Sequence, residues 1–141
     1  IEETEKNSIS SIARAETLLI TVAHGSNDPG VNLNTAKIPQ ILCENMGFGG
    51  FEINFIGTNQ PLLSESLEAS IKMKFKRIII FPFFLFNGVL TKRIASIVDD
   101  IQRQHPEVEF LKTQHLNHHE LIIDVFMKRA REAPFVLQDT N

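Results

Sequence analysis

One histidine follows an apolar run and precedes a turn-forming sequence, a position at which an imidazole could bind a metal ion or accept a proton. Residues 18–23 (LLITVA) are aliphatic or β-branched, and His24 comes directly before Gly-Ser-Asn-Asp-Pro-Gly. The run is typical of a strand and the residues after it are turn formers. Because imidazole holds divalent cations and protons near neutral pH, we predict a catalytic, metal-binding His24 at a strand end. The alternative is a strand-end histidine satisfied by the loop backbone.

Two further groups of side chains could contact a ligand beside that histidine. Ser26 and Asn27 are candidate polar contacts, whereas residues 28–30 (DPG) fit a plain turn role at least as well. The nearly continuous apolar run at 77–86 (RIIIFPFFLF) ends at Phe86, which could form a wall against a flat ligand with Asn87 and Gly88 after it. Phe81 and Phe83 of that run are interpreted as core.

Lys92 and Arg93 fall in the first turns of the helix predicted after this run. Cations there oppose the helix dipole, so an anionic ligand would explain them; solvated surface charge is an equal alternative. His118 and His119 follow the last predicted strand and are interpreted equally as loop contacts to a ligand or as loop surface. His105, before Pro106, is interpreted as structural or exposed.

The elements that must position these residues alternate between strand and helix. The strand predictions are 18–23, 51–56, 77–86 and 108–111; the helix predictions are 33–46, 61–75, 90–104 and 120–132, the last with a capping box of Asn117 and Glu120. Pro82 is expected to end regular pairing of the third strand. Alternation of this kind predicts a parallel sheet with helices on both faces. The two fully apolar strands belong at its centre, which gives a flavodoxin-like order 2-1-3-4 with a crevice beyond the first and third strands.

Composition limits the class of protein. The chain has 141 residues, one cysteine and a formal charge of −3, so nothing suggests a duplex-binding surface, and an internal disulfide is excluded. Cys43 is interpreted as a buried helical thiol. The apolar runs fall far below the ~20 residues of a membrane span, so we expect a soluble protein in a reducing compartment. We predict one α/β domain at 17–133, a polar linker or disordered start at 1–16 and a tail at 134–141. The whole chain is expected to be part of a longer protein.

Three segments together resemble the sirohydrochlorin chelatase family, the small class II chelatases of sirohaem and cobalamin synthesis. They are LLITVAHGSNDPG, the stretch from IGTNQP through FPFFLFNGVLTKRI, and HPEVEFLKTQHLNHHELIIDVFMKRARE. The most specific pieces are the HGS loop after the first strand and the F-L-F-x-G turn after the third, here residues 84–88. The resemblance covers about residues 17–133 and is strongest to the C-terminal half of a two-domain member.

The resemblance implies insertion of cobalt, iron or nickel into sirohydrochlorin, with His24 as metal ligand and proton acceptor and the metal as substrate rather than permanent cofactor. It also implies a homodimer or pairing with a second like domain, in the cytoplasm or an organelle stroma. Leu90 stands where the family usually has a second histidine, and Gly57 where it often has a glutamate. These departures keep a second hypothesis open, a non-catalytic tetrapyrrole-binding or partner half. A histidine phosphatase is a third, although Ala23 replaces the arginine that such chemistry needs before its histidine.

Overall fold

Four parallel strands form one sheet in the computed structural model, which describes residues 1–25, 28–56, 63–83 and 88–113. The strands are β1 (Thr17–His24), β2 (Gly50–Ile56), β3 (Arg77–Phe83) and β4 (Glu109–Lys112), in the order β2-β1-β3-β4. The predicted fold class and strand order are confirmed. The two central strands are the two apolar runs, because a strand with neighbours on both sides and helices on both faces buries all but its last side chains.

The described helices are α1 (Glu2–Lys6), α2 (Pro29–Met46), α3 (Leu63–Ile71) and α4 (Gly88–Gln104). Alternate residues of β1 divide the core between two faces of the sheet. Leu18, Ile20 and Val22 pack in one cluster with α3 and α4, whereas Leu19 packs in a second cluster with Cys43 of α2. Helices therefore cover both faces, as predicted. None of the described helices is long and apolar enough to cross a membrane.

Helix α2 begins four residues earlier than the predicted Leu33. Asp28 caps it, its carboxylate accepting a hydrogen bond of 2.8 Å from the Gly30 amide, and Pro29 occupies the first turn. The sequence DPG that suggested a plain turn is thus a helix start, because proline lacks the N–H that a first helical turn leaves unpaired anyway. Gly47 ends α2 with a φ of 78°, a left-handed conformation that glycine adopts at little cost. Burial raises the pKa of the Cys43 thiol, as expected of a buried helical cysteine.

The expectation that Pro82 ends regular pairing is wrong. β1 and β3 stay in register through Val22↔Pro82 and Ala23↔Phe83. Ile80 accepts from the Thr113 amide on the β4 side, and backbone groups of a strand alternate in direction, so Pro82 also faces that side. Pairing with β4 ends at Ile80↔Lys112, so the missing N–H of Pro82 costs no bond in the ladder with β1.

The remaining elements differ from the predictions by small shifts. β2 lies at the sheet edge, as predicted, but only Phe51 is exposed and the rest of the strand is half-buried. α4 starts at Gly88 rather than Leu90, and β4 runs one residue later than predicted. The predicted helix at 120–132, with its cap of Asn117 and Glu120, lies outside the described residues.

Residues 1–16 pack against the amino-terminal edge of the sheet. Arg77, the first residue of β3, has a side chain only 4% exposed and bonds to Glu109 at 3.0 Å. Its guanidinium also donates to Ser8 Oγ and to the carbonyl oxygens of Ser10 and Ile12. A buried arginine needs such a set of acceptors to offset its desolvation. The segment is thus tied to the edge of the sheet opposite His24.

Candidate functional site

His24 is the last residue of β1 and is exposed at the carboxyl-terminal edge of the sheet. It pairs with Ile56 of β2, and the amide of Gly25 donates a hydrogen bond of 2.9 Å to the Ile56 carbonyl. By strand alternation its side chain shares the face of Ile20 and Val22, which α3 and α4 cover. The predicted strand-end position is confirmed, and the seven residues of β1 before His24 are all buried.

The amino termini of two helices border the same edge. α2 starts after β1 and α4 starts after β3, and the two strands are direct neighbours. The order of connections reverses between them, so the chain leaves the edge toward opposite faces. Helix amino termini carry partial positive charge and amides that lack an intrahelical acceptor. The carboxylate of Asp28 already caps α2, so the terminus of α4 is the one suited to a ligand carboxylate beside the imidazole.

The two predicted cations occupy different sides of α4. Ile94, Val98 and Ile101 define the packed side of the helix. At 3.6 residues per turn, Lys92, two residues before Ile94, lies on the opposite side, and Arg93, one residue before, lies on the flank. Both side chains are exposed. Gly88 is the first residue of α4. Arg93 is thus the better placed of the two to contact a ligand that also touches the sheet.

Leu90, which stands where the resembled family has its second histidine, packs against the core cluster of α3 and α4. Its half-buried position gives it a structural role as part of the apolar cover over the sheet. On the other face, Phe83 is half-buried and meets Phe81 edge to face, with ring centroids 6.2 Å apart and planes at 77°. Phe81 is buried, in agreement with the core interpretation.

Several predicted site residues lie outside the described residues. These are Ser26, Asn27, Phe86 and Asn87 of the two loops, His118 and His119 of the histidine loop, and Gly57 after β2. Within the described ranges, no group of three or more His, Cys, Asp or Glu side chains could hold a metal ion. The structure thus places His24, Gly88, Lys92 and Arg93 at the carboxyl-terminal edge, and leaves the other contacts as predictions.

Sequence reasoning missed two buried hydroxyls on the sheet face that carries α2. The Oγ atoms of Thr21 and Thr113 are buried and have no hydrogen-bond partner in the described part of the chain. Thr21 pairs with Phe81, and Thr113 follows Lys112, which pairs with the preceding Ile80. The two threonines thus flank Phe81 in one row across the sheet. Threonine is common in strands, so the sequence held no signal for this feature.

A cavity of about 520 Å³ lies at the other edge of the sheet, among residues 2–14 and Arg77. Arg77 pairs with Thr17 at the start of β1. Seven residues of strand separate Thr17 from His24, roughly 23 Å at the usual rise per residue. The cavity is therefore separate from the candidate site.

Comparisons with known proteins identify the family. A family model described as CbiX matches residues 18–133. The chain belongs to the CbiX family. The family match runs from the start of β1 through the end of the described sheet, and so includes His24 and α4.

Two curated relatives and two solved structures bear on this CbiX chain. It is 32% identical over 117 residues to a sirohydrochlorin cobaltochelatase of Priestia megaterium, covering 83% of this chain and 38% of that protein. It is 23% identical over 116 residues to a sirohydrochlorin ferrochelatase of the same organism, covering 82% and 43%. The chain thus spans about two fifths of these relatives.

The structures share the fold. A CbiX protein from Marinobacter aquaeolei VT8 superposes with a TM-score of 0.64 at 15% identity, covering 82% of this chain and 95% of that one. The sirohydrochlorin chelatase SirB from Bacillus subtilis subspecies spizizenii, in complex with cobalt, superposes with a TM-score of 0.69 at 17% identity, covering 82% and 50%. The sheet described above is therefore the sheet of known CbiX and SirB proteins.

Proposed function

We propose that this chain inserts a divalent metal ion, cobalt, iron or nickel, into sirohydrochlorin in tetrapyrrole biosynthesis. The observation that carries the proposal is the position of His24, exposed at the carboxyl-terminal end of the central strand β1 in a chain of the CbiX family. Relatives named cobaltochelatase and ferrochelatase support this reaction class. Because this chain spans only part of the length of those relatives, sirohydrochlorin as its substrate is proposed together with the reaction.

Metal insertion requires a group that can both bind a cation and accept a proton. Insertion places one M²⁺ ion on four pyrrole nitrogens and releases two N–H protons, so charge balances. A neutral imidazole can hold the arriving cation after part of its water shell has left, or take a proton from the ring. His24 would perform these roles at the edge of the sheet, with the metal as substrate and no permanently bound cofactor.

The surroundings of His24 suit a flat molecule that carries several carboxylates. Arg93 would bind a peripheral carboxylate, since guanidinium and carboxylate form paired hydrogen bonds. The amino terminus of α4 adds positive potential at the same edge, whereas the carboxylate of Asp28 already caps that of α2. Phe86, Asn87, Ser26 and Asn27 would complete the contacts, with His118 and His119 leaning over the ligand.

We further propose that a second like domain completes the site, as a homodimer or as the other half of a longer chain. The macrocycle is larger than the crevice between two adjacent strands, whose spacing is about 4.8 Å. A partner placed over the carboxyl-terminal edge would shield the metal from water. The expected compartment is the cytoplasm or an organelle stroma.

The test is a spectrophotometric assay. The purified chain is mixed under anaerobic conditions with sirohydrochlorin and Co²⁺, Fe²⁺ or Ni²⁺, and the absorption spectrum is followed against a protein-free control and against bovine serum albumin as an unrelated protein. Faster appearance of the metallated spectrum than in both controls is expected with at least one metal. Spectral perturbation of the macrocycle without faster metallation would instead identify a tetrapyrrole-binding or partner half. Background rates without binding would overturn the proposal.

A further inference from the structure

Both ring nitrogens of His105 face carboxylates that belong to different parts of the fold. Nε2 lies 2.9 Å from Glu68 Oε2 of α3, and Nδ1 lies 3.2 Å from Glu107 Oε1 in the turn before β4. A neutral imidazole has one N–H and one lone pair, so it can donate to only one of these oxygens. Two acceptors therefore match the imidazolium, which donates from both nitrogens.

The backbone around His105 is held independently of its ring. Its amide donates to Ile101 of α4 at 3.0 Å, and its carbonyl accepts from the Val108 amide at 3.2 Å. The Gln102 side chain bonds to the carbonyl oxygens of His105 and Val108 and accepts from the Phe110 amide. A change in the charge of the ring therefore acts on its contacts with Glu68 and Glu107, and the contact with Glu68 is the one that reaches another helix.

We propose that His105 is a pH-sensitive clamp that, when protonated, holds α3 against the carboxyl end of α4 through Glu68. Among the described residues, the charged groups in contact with the ring are Glu68 from α3 and Glu107 from the turn, while Gln102 of α4 bonds to the backbone carbonyl of His105. Beneath the clamp, Leu67 of α3 and Ile101 of α4 share the buried cluster. The clamp thus spans the rim of an apolar contact between the two helices.

The direction of the response follows from the charges. The hydrogen bond to Glu107, and then the charge and hydrogen bond of Glu68, outweigh desolvation and raise the pKa of His105. A group with a raised pKa in the folded state stabilises that state fully below its unfolded value of about 6.5. This stabilisation disappears as the pH rises through the folded value. α3 should therefore be held most firmly in mildly acidic solution and loosen toward alkaline pH.

Hydrogen exchange of the α3 amides, corrected for intrinsic rates, tests the clamp at pH 5.5 and pH 8.5. In the wild type, protection of α3 should fall several-fold between the two. His105→Gln and Glu68→Gln should show no such fall, whereas Glu65→Gln, which removes an exposed carboxylate from the same helix, should behave as the wild type. An equal fall in wild type and His105→Gln would overturn the proposal.

A titration by NMR keeps the proposal testable if a variant folds poorly. In the wild type, the His105 ring should titrate above the ordinary imidazole value, and Glu68→Gln should move its titration to lower pH. A His105 titration at or below about 6.5 in the wild type would contradict the clamp.

Discussion

His24 lies directly opposite Ile56, at the last paired position between β1 and β2. The next amide, that of Gly25, still donates to Ile56 at 2.9 Å, so the ladder continues one residue past the histidine. The backbone of His24 is therefore fixed by the sheet while its side chain is exposed. The ladder thus fixes the point of the sheet edge from which the imidazole extends.

The buried hydroxyl of Thr21 predicts a stabilising substitution. Thr21→Val replaces this hydroxyl, which has no hydrogen-bond partner among the described residues, by a methyl group of similar shape, and should leave the free energy of unfolding unchanged or raise it by about 1 kcal/mol. Thr17→Val is the matched control on the same strand, because the Thr17 hydroxyl donates to Ala13 at 3.0 Å. That control should lower the free energy by about 1 kcal/mol. Urea unfolding of both variants measures the difference, and equal losses would show that Thr21 has a partner.

Local patterns of apolar residues were sufficient to predict the strand order of the sheet. The apolar runs of β1 and β3 identified the central strands, and the mixed character of β2 placed it at an edge. The start of α2 was missed because Asp28, Pro29 and Gly30 are equally typical of turns and helix starts. The backbone hydrogen bond of 3.3 Å from the Asn32 amide to the Asp28 carbonyl, which a helix makes and a tight turn does not, distinguishes the two.

Long-range contacts explain what the sequence did not predict. The packing of residues 1–16 depends on Arg77, which reaches Ser8 and Ser10 far along the chain. The clamp at His105 likewise needs Glu68 from another helix. No local periodicity encodes such pairs. At the site, the position of His24 could be predicted because it directly follows an apolar strand. That Lys92 lies away from the packed side of α4 became clear only from the structure, which shows which residues of the helix are buried.

The ion pair between Arg77 and Glu109 predicts a loss of stability in acid. Burial acts to raise the pKa of Glu109, but hydrogen bonds from Ser10 and Ser8 and the charge of Arg77 outweigh it, and the pKa is lowered. The stabilisation is present above the unfolded value of about 4.3 and is lost as the pH falls through the folded value. Glu109→Gln should lower the free energy of unfolding at pH 7 by about 1 to 3 kcal/mol.

The same variant should show a flatter dependence of stability on pH between 5 and 3 than the wild type. Glu44→Gln, at an exposed position of α2, serves as the control and should keep the wild-type slope. Equal slopes in Glu109→Gln and the wild type would refute the stated role of the buried ion pair.

Arg93 and Lys92 offer a matched pair for testing the proposed binding of sirohydrochlorin. Replacing both by Ala should weaken binding of sirohydrochlorin and flatten its dependence on salt, because screened attraction to the carboxylates is lost. Arg93→Ala should account for most of this effect, since Lys92 lies on the side of α4 away from the packed core. Fluorescence titration at low and high salt measures both. An unchanged affinity in the double variant would remove these residues from the site.

A dimerisation measurement tests the proposed second domain. Light scattering of the chain, alone and with sirohydrochlorin, should show a dimer in at least one condition, because one crevice cannot enclose the macrocycle. A strict monomer in both conditions would contradict the homodimer and favour a second half in a longer chain.

Metal insertion by His24→Ala tests the central claim most directly. The variant is compared with the wild type and with His105→Gln, which replaces a histidine at the other end of the fold. The anaerobic assay uses sirohydrochlorin and the metal that the wild type inserts fastest. At alkaline pH, His105→Gln should insert metal as fast as the wild type. If His24 holds the metal or accepts the pyrrole proton, His24→Ala should lower the rate above background by about 100-fold or more while circular dichroism stays unchanged. Wild-type rates in a folded His24→Ala protein would contradict the account.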